Sequence, residues 1–302
     1  SMRGMGGIEG ALLSGAAHLL SFTGTDTIPA IDLLEQYYGA DAERELIGGS
    51  VPATEHSVMC MGTATGEQET FRRLISEVYP TGIVSIVSDT WDLWKVLTEF
   101  LPALREDIAG RNGKVVIRPD SGDPVLILCG NPDGATEPER KGVVELLWDT
   151  FGGQINSKGY KELASCIGTI YGDSITLERA EQICERLKIK GFASTNVVLG
   201  IGSFTYQYNT RDTFGFAMKA TYGEVNGEGR AIFKDPVTDD GTKKSAKGLM
   251  QLRKENGRYH LLDEVSREEE KEGELKEVFR DGKLLTEFSL AEIRKNIRHQ
   301  GV

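Results

Sequence analysis

Short apolar runs, each closed by a polar tip and followed by a helical pattern, set the rhythm of this chain. The clearest is Lys114 to Ile117. Val115, Val116 and Ile117 are β-branched and show no alternation, which predicts a short strand buried on both faces. Pro119 cannot donate to a sheet ladder, so the strand ends before it. Arg118, Asp120, Ser121 and Gly122 then crowd the exit with a planar fork of donors, an acceptor, a hydroxyl and a freely turning backbone. Alone, these residues equally suit an ordinary strand-to-loop exit with a solvated ion pair. The pattern repeats, however. Ile83 to Ser88 is a strand pattern closed by Asp89, and Cys166 to Gly172 is closed by Asp173 and followed by a helix over Ile175 to Leu187. Leu20 to Thr25, a fainter copy, is closed by Asp26 and followed by Ile28 to Tyr38. Phe192 to Ser203 ends in Gly200 and Gly202 instead. Such repeats predict an α/β fold around a parallel sheet, whose ligands sit at the carboxyl ends of the strands. Asp26, Asp89, Asp120 and Asp173 would then share one mouth.

Between these units, Thr27 is the expected N-cap and Gly39 the stop of one helix. Glu67 to Val78 and Trp91 to Ile108 are amphipathic, with Trp91 and Trp94 expected as core anchors. Residues 129–141 read as a charged surface loop, and 151–160 as a loop leading to the Asp173 strand. From Asp212 the character changes to short strands joined by Asn226-Gly227, Asn256-Gly257 and Asp281-Gly282, strong hairpin signals. Ser289 and Glu292 form a capping box for a last helix, Leu290 to Arg298, and Arg267 to Lys271 reads as a solvated face. Two parts are expected: residues 1–211, the α/β portion, and 212–302, a mostly antiparallel segment.

Composition narrows the function. The chain has 302 residues and a net charge of -11, which argues against broad binding to nucleic acid or anionic membranes, so any phosphate site must be a local basic pocket. No apolar run is long enough to span a membrane. Cys60, Cys129, Cys166 and Cys184 make no zinc spacing; Cys166 and Cys184 are expected in the core, and a reduced cytoplasmic setting fits. Acids gathered at one mouth can hold a divalent cation, grip a ribose diol or stabilise a developing cation. The Gly200–Ser203 turn offers free N–H groups to a phosphate, with Arg211 close in sequence. Transfer at the anomeric carbon of a phosphorylated ribose suits this set.

A series of motifs then appears in order along the chain. They are Gly24-Thr25-Asp26-Thr27, Val51-Pro52-Ala53-Thr54-Glu55-His56-Ser57, Ser85-Ile86-Val87-Ser88-Asp89, Ile117-Arg118-Pro119-Asp120-Ser121-Gly122, Asn156-Ser157-Lys158-Gly159-Tyr160, Gly172-Asp173, Thr210-Arg211-Asp212 and Val278-Phe279-Arg280-Asp281-Gly282-Lys283. Together, from Arg3-Gly4 to Asn296, the chain resembles the nicotinamide phosphoribosyltransferases, within the type II phosphoribosyltransferase family. The resemblance implies an irregular α/β barrel, a homodimer, Mg2+, and ATP as coupled co-substrate, with nicotinamide and phosphoribosyl pyrophosphate as substrates. It implies that Asp26 accepts from the nicotinamide carboxamide and disfavours nicotinate, and that Ser85 and Arg118 contact the base. His56 would be phosphorylated by ATP. Asp89 and Asp120 would serve the Mg2+–pyrophosphate region, and Asp120 and Asp173 would border the ribose. Gly172, Gly202, Ser203 and Arg211 would bind the 5-phosphate, and Arg3 the phosphates. Ser203 stands where the resemblance calls for glycine. The family's N-terminal portion, which supplies ring-sandwiching aromatics, is not matched before Arg3. A second polypeptide supplying it, a nicotinate phosphoribosyltransferase, and a non-catalytic fragment stay open as alternatives.

Overall fold

A computed structural model describes residues 2–172, 174–209, 213, 218–233, 237 and 245–298. It contains two compact units: residues 1–219 with 234–244, and residues 220–233 with 245–302. The first unit thus extends beyond the 1–211 boundary drawn from sequence.

The strands of the first unit are β1 (Thr81–Val87), β2 (Asn112–Arg118), β3 (Gly153–Ile155), β4 (Lys161–Leu163), β5 (Ile167–Tyr171) and β6 (Val197–Leu199). A four-stranded sheet runs in the order β1-β2-β5-β6, with every neighbouring pair parallel. β3 and β4 form an antiparallel hairpin where sequence suggested only a loop; Asn156 and Gly159 close its turn. Beyond the free edge of β1 the ladder continues as single parallel bridges, Ala53 to Ser85 and Gly24 to Gly49. The fainter strand expected over Leu20 to Asp26 amounts to that last bridge.

The two faces of the sheet differ. Val84, Ile86, Val115, Ile117, Ile167 and Tyr171 are at most 1% exposed. They belong to the core formed with Leu93, Leu97, Leu101 and Leu104 and with Val143, Leu147, Ile183 and Leu187 on the covering helices. The opposite face leaves Ile83 44% and Val198 56% exposed, with Val116 half-buried. The expectation that Lys114–Ile117 is buried on both faces is therefore corrected. Its apolar run reflects one packed face and the strand preference of β-branched residues.

Local signals explain most helix ends. Thr176 caps Leu177–Ile189 by accepting from Arg179 N–H, and Gly191 follows with a positive φ. Thr27 does not cap Pro29–Tyr38; Ile28 occupies that position without a side-chain bond. Trp91 to Ile108 is not one helix but a series of short helical pieces from Leu93 to Ala109, including a wide turn at Val96–Phe100. Trp91 and Trp94 pack partly buried against the core, as expected. The charged stretch before Gly142 contains a capped helix, Glu137–Lys141. Lys190 fastens that region, donating to the Cys129 and Lys141 carbonyls at 2.9 and 2.7 Å and pairing with Glu145 at 2.6 Å. Of the cysteines expected inside, Cys166 is half-buried and Cys184 exposed; Cys60 and Cys129 are the buried pair.

In the second unit the three hairpins fall at the expected dipeptides. Asn226-Gly227, Asn256-Gly257 and Asp281-Gly282 all have positive φ at both positions, the geometry a two-residue type I′ turn requires. The segment expected as a strand from Phe214 lies largely outside the described residues, and pairing starts at Tyr222. The Ser289–Glu292 box forms reciprocally, at 2.7 Å to Ser289 N and 3.2 Å from Glu292 N, and starts Leu290–Arg298.

Leu147 has no solvent exposure and sits in the core under β5. Leu147→Ala should lower unfolding free energy by about 2–5 kcal/mol, read by urea denaturation.

Candidate active site

The site begins with a docked segment. Pro52 to Thr54 lies along the edge of β1: Ser85 N–H donates to the Pro52 carbonyl at 2.8 Å, and Thr54 N–H to the Ser85 carbonyl at 2.9 Å. The Thr54 hydroxyl accepts from Val87 N–H at 2.9 Å. This grip delivers Glu55 and His56 to the carboxyl end of β1, where His56 opens a short helix, His56–Met61. Arg118, the last residue of β2, reaches the same place. It donates to the Thr54 carbonyl at 2.5 Å and lies 3.6 Å from the Glu55 carboxylate. Its Nε has no partner among the described residues, nor does the buried hydroxyl of Ser85.

Two of the expected acids meet here. Asp89 is fully buried after β1. Its Oδ2 accepts from Asp120 N–H at 2.9 Å and from the Ser121 hydroxyl, so the exit of β2 is tied to the exit of β1. Its Oδ1 makes no hydrogen bond among the described residues and faces His56 Nε2 at 3.9 Å; Asp120 Oδ2 lies 3.5 Å from the same nitrogen. The other ring nitrogen, Nδ1, is 3.0 Å from the hydroxyl of buried Thr90. Behind this group sits Glu67. Its carboxyl is pushed up to about 8, first by burial, then by the negative charges of Asp92 and Asp89, against the opposing pull of Lys95.

The glycine turn forms a second cluster. Gly200 N–H donates to the Tyr171 carbonyl at 2.8 Å, and a Cβ on Gly200 would fall 2.6 Å from the Gly172 Cα, so Gly200 needs glycine's small size there. Gly202 precedes a one-turn helix, Ser203–Gln207, in which Ser203 is buried. The Gln207 amide donates to the Gly4 carbonyl, bringing the exposed Arg3 segment alongside. Asp26 is exposed and takes the Ser50 hydroxyl at 2.5 Å. Asp173 and Arg211 lie outside the described residues. The structure thus joins His56, Asp89 and Asp120 by direct contact, and Arg118 to Glu55, the residue before His56. It places Ser85 beside them through Thr54, and Gly172 beside the Gly200–Ser203 turn.

A family model for the nicotinate phosphoribosyltransferase (NAPRTase) family matches residues 1–283. The chain belongs to that family. It is 57% identical, over 99% of its length, to a nicotinamide phosphoribosyltransferase of Acinetobacter baylyi, of which it covers 60%. Proteins of the same description in Mycoplasma pneumoniae and Xanthomonas campestris pv. campestris are 41% and 36% identical over 82% and 97% of the chain, covering 52% and 60% of theirs. The chain therefore spans little more than half the length of these relatives.

As a member of the nicotinate phosphoribosyltransferase family, the chain has its polar cluster where a parallel sheet places ligands, at the strand carboxyl ends. A cleft of about 640 Å³ opens at the other end, lined by Thr81, Gly82, Arg111, Lys114 and Cys166, and holds none of the residues above. Among the described residues no three His, Cys, Asp or Glu side chains gather as a metal cage. The unbonded Asp89 oxygen beside Asp120 still fits Mg2+, which takes one or two carboxylates and completes its shell with water and phosphate. Sequence reasoning missed Thr54, Glu67 and Thr90. Thr54 and Thr90 each adjoin a chosen motif residue, but nothing in a hydroxyl's identity announces its partner. Glu67 opens an ordinary amphipathic helix pattern.

Glu67 generates a pH prediction. Between pH 4.5, its ordinary value, and about 8, the folded chain keeps a proton that the unfolded chain has lost, so this group makes stability fall as pH rises. Glu67→Gln removes the effect. The variant's stability relative to the parent should climb across that window and level off above it, by a total on the order of a few kcal/mol. Denaturant midpoints at several pH values check this; a pH-independent difference would refute it.

Proposed function

We infer that this chain carries the reaction centre of a nicotinamide phosphoribosyltransferase, which joins nicotinamide to phosphoribosyl pyrophosphate and releases pyrophosphate and nicotinamide mononucleotide for NAD salvage. One observation carries the reading: His56 is held between Thr90 and the Asp89–Asp120 pair, beside Arg118, in a chain 57% identical to a relative of that name. The nicotinamide ring nitrogen displaces pyrophosphate at the anomeric carbon. The transition state is cationic at the ribose, and carboxylates such as Asp120 and Asp173 stabilise such charge when it develops beside them. Arg118 and Ser85, whose Nε and hydroxyl lack partners among the described residues, would meet the base. Asp26 would accept from the carboxamide NH2, a contact a nicotinate carboxylate cannot make. Gly172, Gly202, Ser203 and Arg211 would hold the 5-phosphate, with Arg3 on the phosphates. His56 would take a phosphoryl group from ATP, its Nε2 facing the pyrophosphate region. Asp89 and Asp120 would hold Mg2+, which neutralises phosphate charge when bound. The working enzyme would be a homodimer, and its four free cysteines suit a reducing cytoplasm.

The test is nicotinamide mononucleotide formation from nicotinamide, phosphoribosyl pyrophosphate, Mg2+ and ATP, with nicotinic acid in parallel. Product from nicotinamide is expected. Asp26→Ala should lower kcat/KM for nicotinamide about tenfold or more, since a lost charge-assisted hydrogen bond costs about 1.5–3 kcal/mol. Product from nicotinic acid alone would overturn the Asp26 assignment. Product from neither would make this chain a binding fragment.

A further inference from the structure

We propose that Thr90 is the positioning residue of His56: its hydroxyl holds the ring by Nδ1 and so places the proton of the neutral imidazole on Nε2, toward Asp89 and Asp120. This rests on the reading of His56 as the reactive side chain. The geometry distinguishes the two neutral tautomers. Thr90 has no solvent exposure, and its Oγ1 lies 3.0 Å from Nδ1, the partner it has among the described residues. If Thr90 donates to Nδ1, its proton is used, and the Nε2 proton points at two carboxylate oxygens 3.5 and 3.9 Å away. If Nδ1 carried the proton instead, the buried Thr90 hydroxyl would lose its acceptor. The Nε2 lone pair would also face two negative charges. Both consequences are costly because the Thr90 hydroxyl, the Asp89 carboxylate and the Nε2 atom are buried.

Among the described residues the neighbours leave this task to Thr90. Ser88 spends its hydroxyl on the Ile86 carbonyl at 2.7 Å, and the Thr54 hydroxyl is engaged by Val87 N–H. Asp89 cannot swing to Nδ1, because Asp120 N–H and the Ser121 hydroxyl hold its other oxygen. Glu55 is turned toward Arg118. The residue type matters as well. A β-branched side chain restricts χ1, so the hydroxyl direction is preset. A hydroxyl is also both donor and acceptor. The contact therefore survives when the Asp120 carboxylate takes the Nε2 proton and Nδ1 gains one from solvent water, and the ring keeps its orientation when Nε2 attacks the γ-phosphorus and ADP leaves.

The experiment uses the full chain with 15N-labelled histidine. Long-range 1H–15N spectra at alkaline pH report the tautomer of each of the four histidines, and His56→Gln identifies the His56 signal by its loss. The parent should show the Nε2–H form. Thr90→Val keeps the shape without the hydroxyl; it should mix the tautomers and slow transfer of the ATP γ-phosphoryl to His56 about tenfold to a hundredfold, as a misoriented reactive group does. Thr90→Ser should recover both readouts. An Nδ1–H form in the parent would overturn the proposal, even if the valine variant did not fold, and so would a valine variant indistinguishable from the parent. The tautomer is read without turnover, so a parent that makes no nicotinamide mononucleotide would count against the function above and not against this placement.

Discussion

Asp89 is the constraint on which the site depends. A carboxylate with no solvent exposure must find donors inside the protein or lose its charge. It finds two beyond the next strand, the Asp120 N–H and the Ser121 hydroxyl. Those bonds fix where β2 leaves the sheet relative to β1, and therefore where Asp120 and Arg118 stand. Only one oxygen is used this way. The other is turned to His56 and is the part of the residue free for chemistry. One side chain thus serves packing and site geometry at once.

The histidine arrives by a different route. Its backbone is set by the parallel ladder, which extends past β1 through Pro52 to Thr54, and Thr90 then holds its ring. Arg118 then closes on the Thr54 carbonyl, so the docked segment and the guanidinium hold each other. Rigid elements on the packed face of the sheet carry these tips. Preorganisation here comes from strands whose core-facing side chains are at most 1% exposed, while the chemistry sits on the irregular residues beyond them.

Much of this was legible in the sequence, for specific reasons. The βα rhythm survives because strands that feed a packed face need apolar residues, and their tips need polar ones. Asn226-Gly227, Asn256-Gly257 and the Ser289–Glu292 box are local chemistry, and local chemistry reads directly. The faces of β2 did not read, because Val116 is β-branched whether or not anything covers it. The hairpin of β3 and β4 was hidden by its shortness and its polar turn. Asp89 and Asp120 could be chosen by position at strand ends, but their shared hydrogen bonds are tertiary facts. Thr90, next to Asp89, was passed over because a threonine after a strand is unremarked until its neighbour in space is known.

On the proposed reading, substrates rich in phosphate meet an acidic mouth, and the net charge of -11 deepens the difficulty. The arrangement of charge resolves it. The acids are not spread over the surface of the site: Asp89 is buried with one oxygen met by two donors, and Asp120 faces the Nε2 of His56 at 3.5 Å. Basic and backbone donors sit apart, at Arg118 on one side and at the Gly200–Ser203 turn beside Gly172 on the other. On the proposed reading, negative charge faces the carbon that becomes cationic, and positive or N–H groups face the phosphates. Overall charge then slows the approach of anions, while the local order of charges discriminates the transition state from the bound substrate. That separation, more than the number of acids or bases, is what the strand ends accomplish.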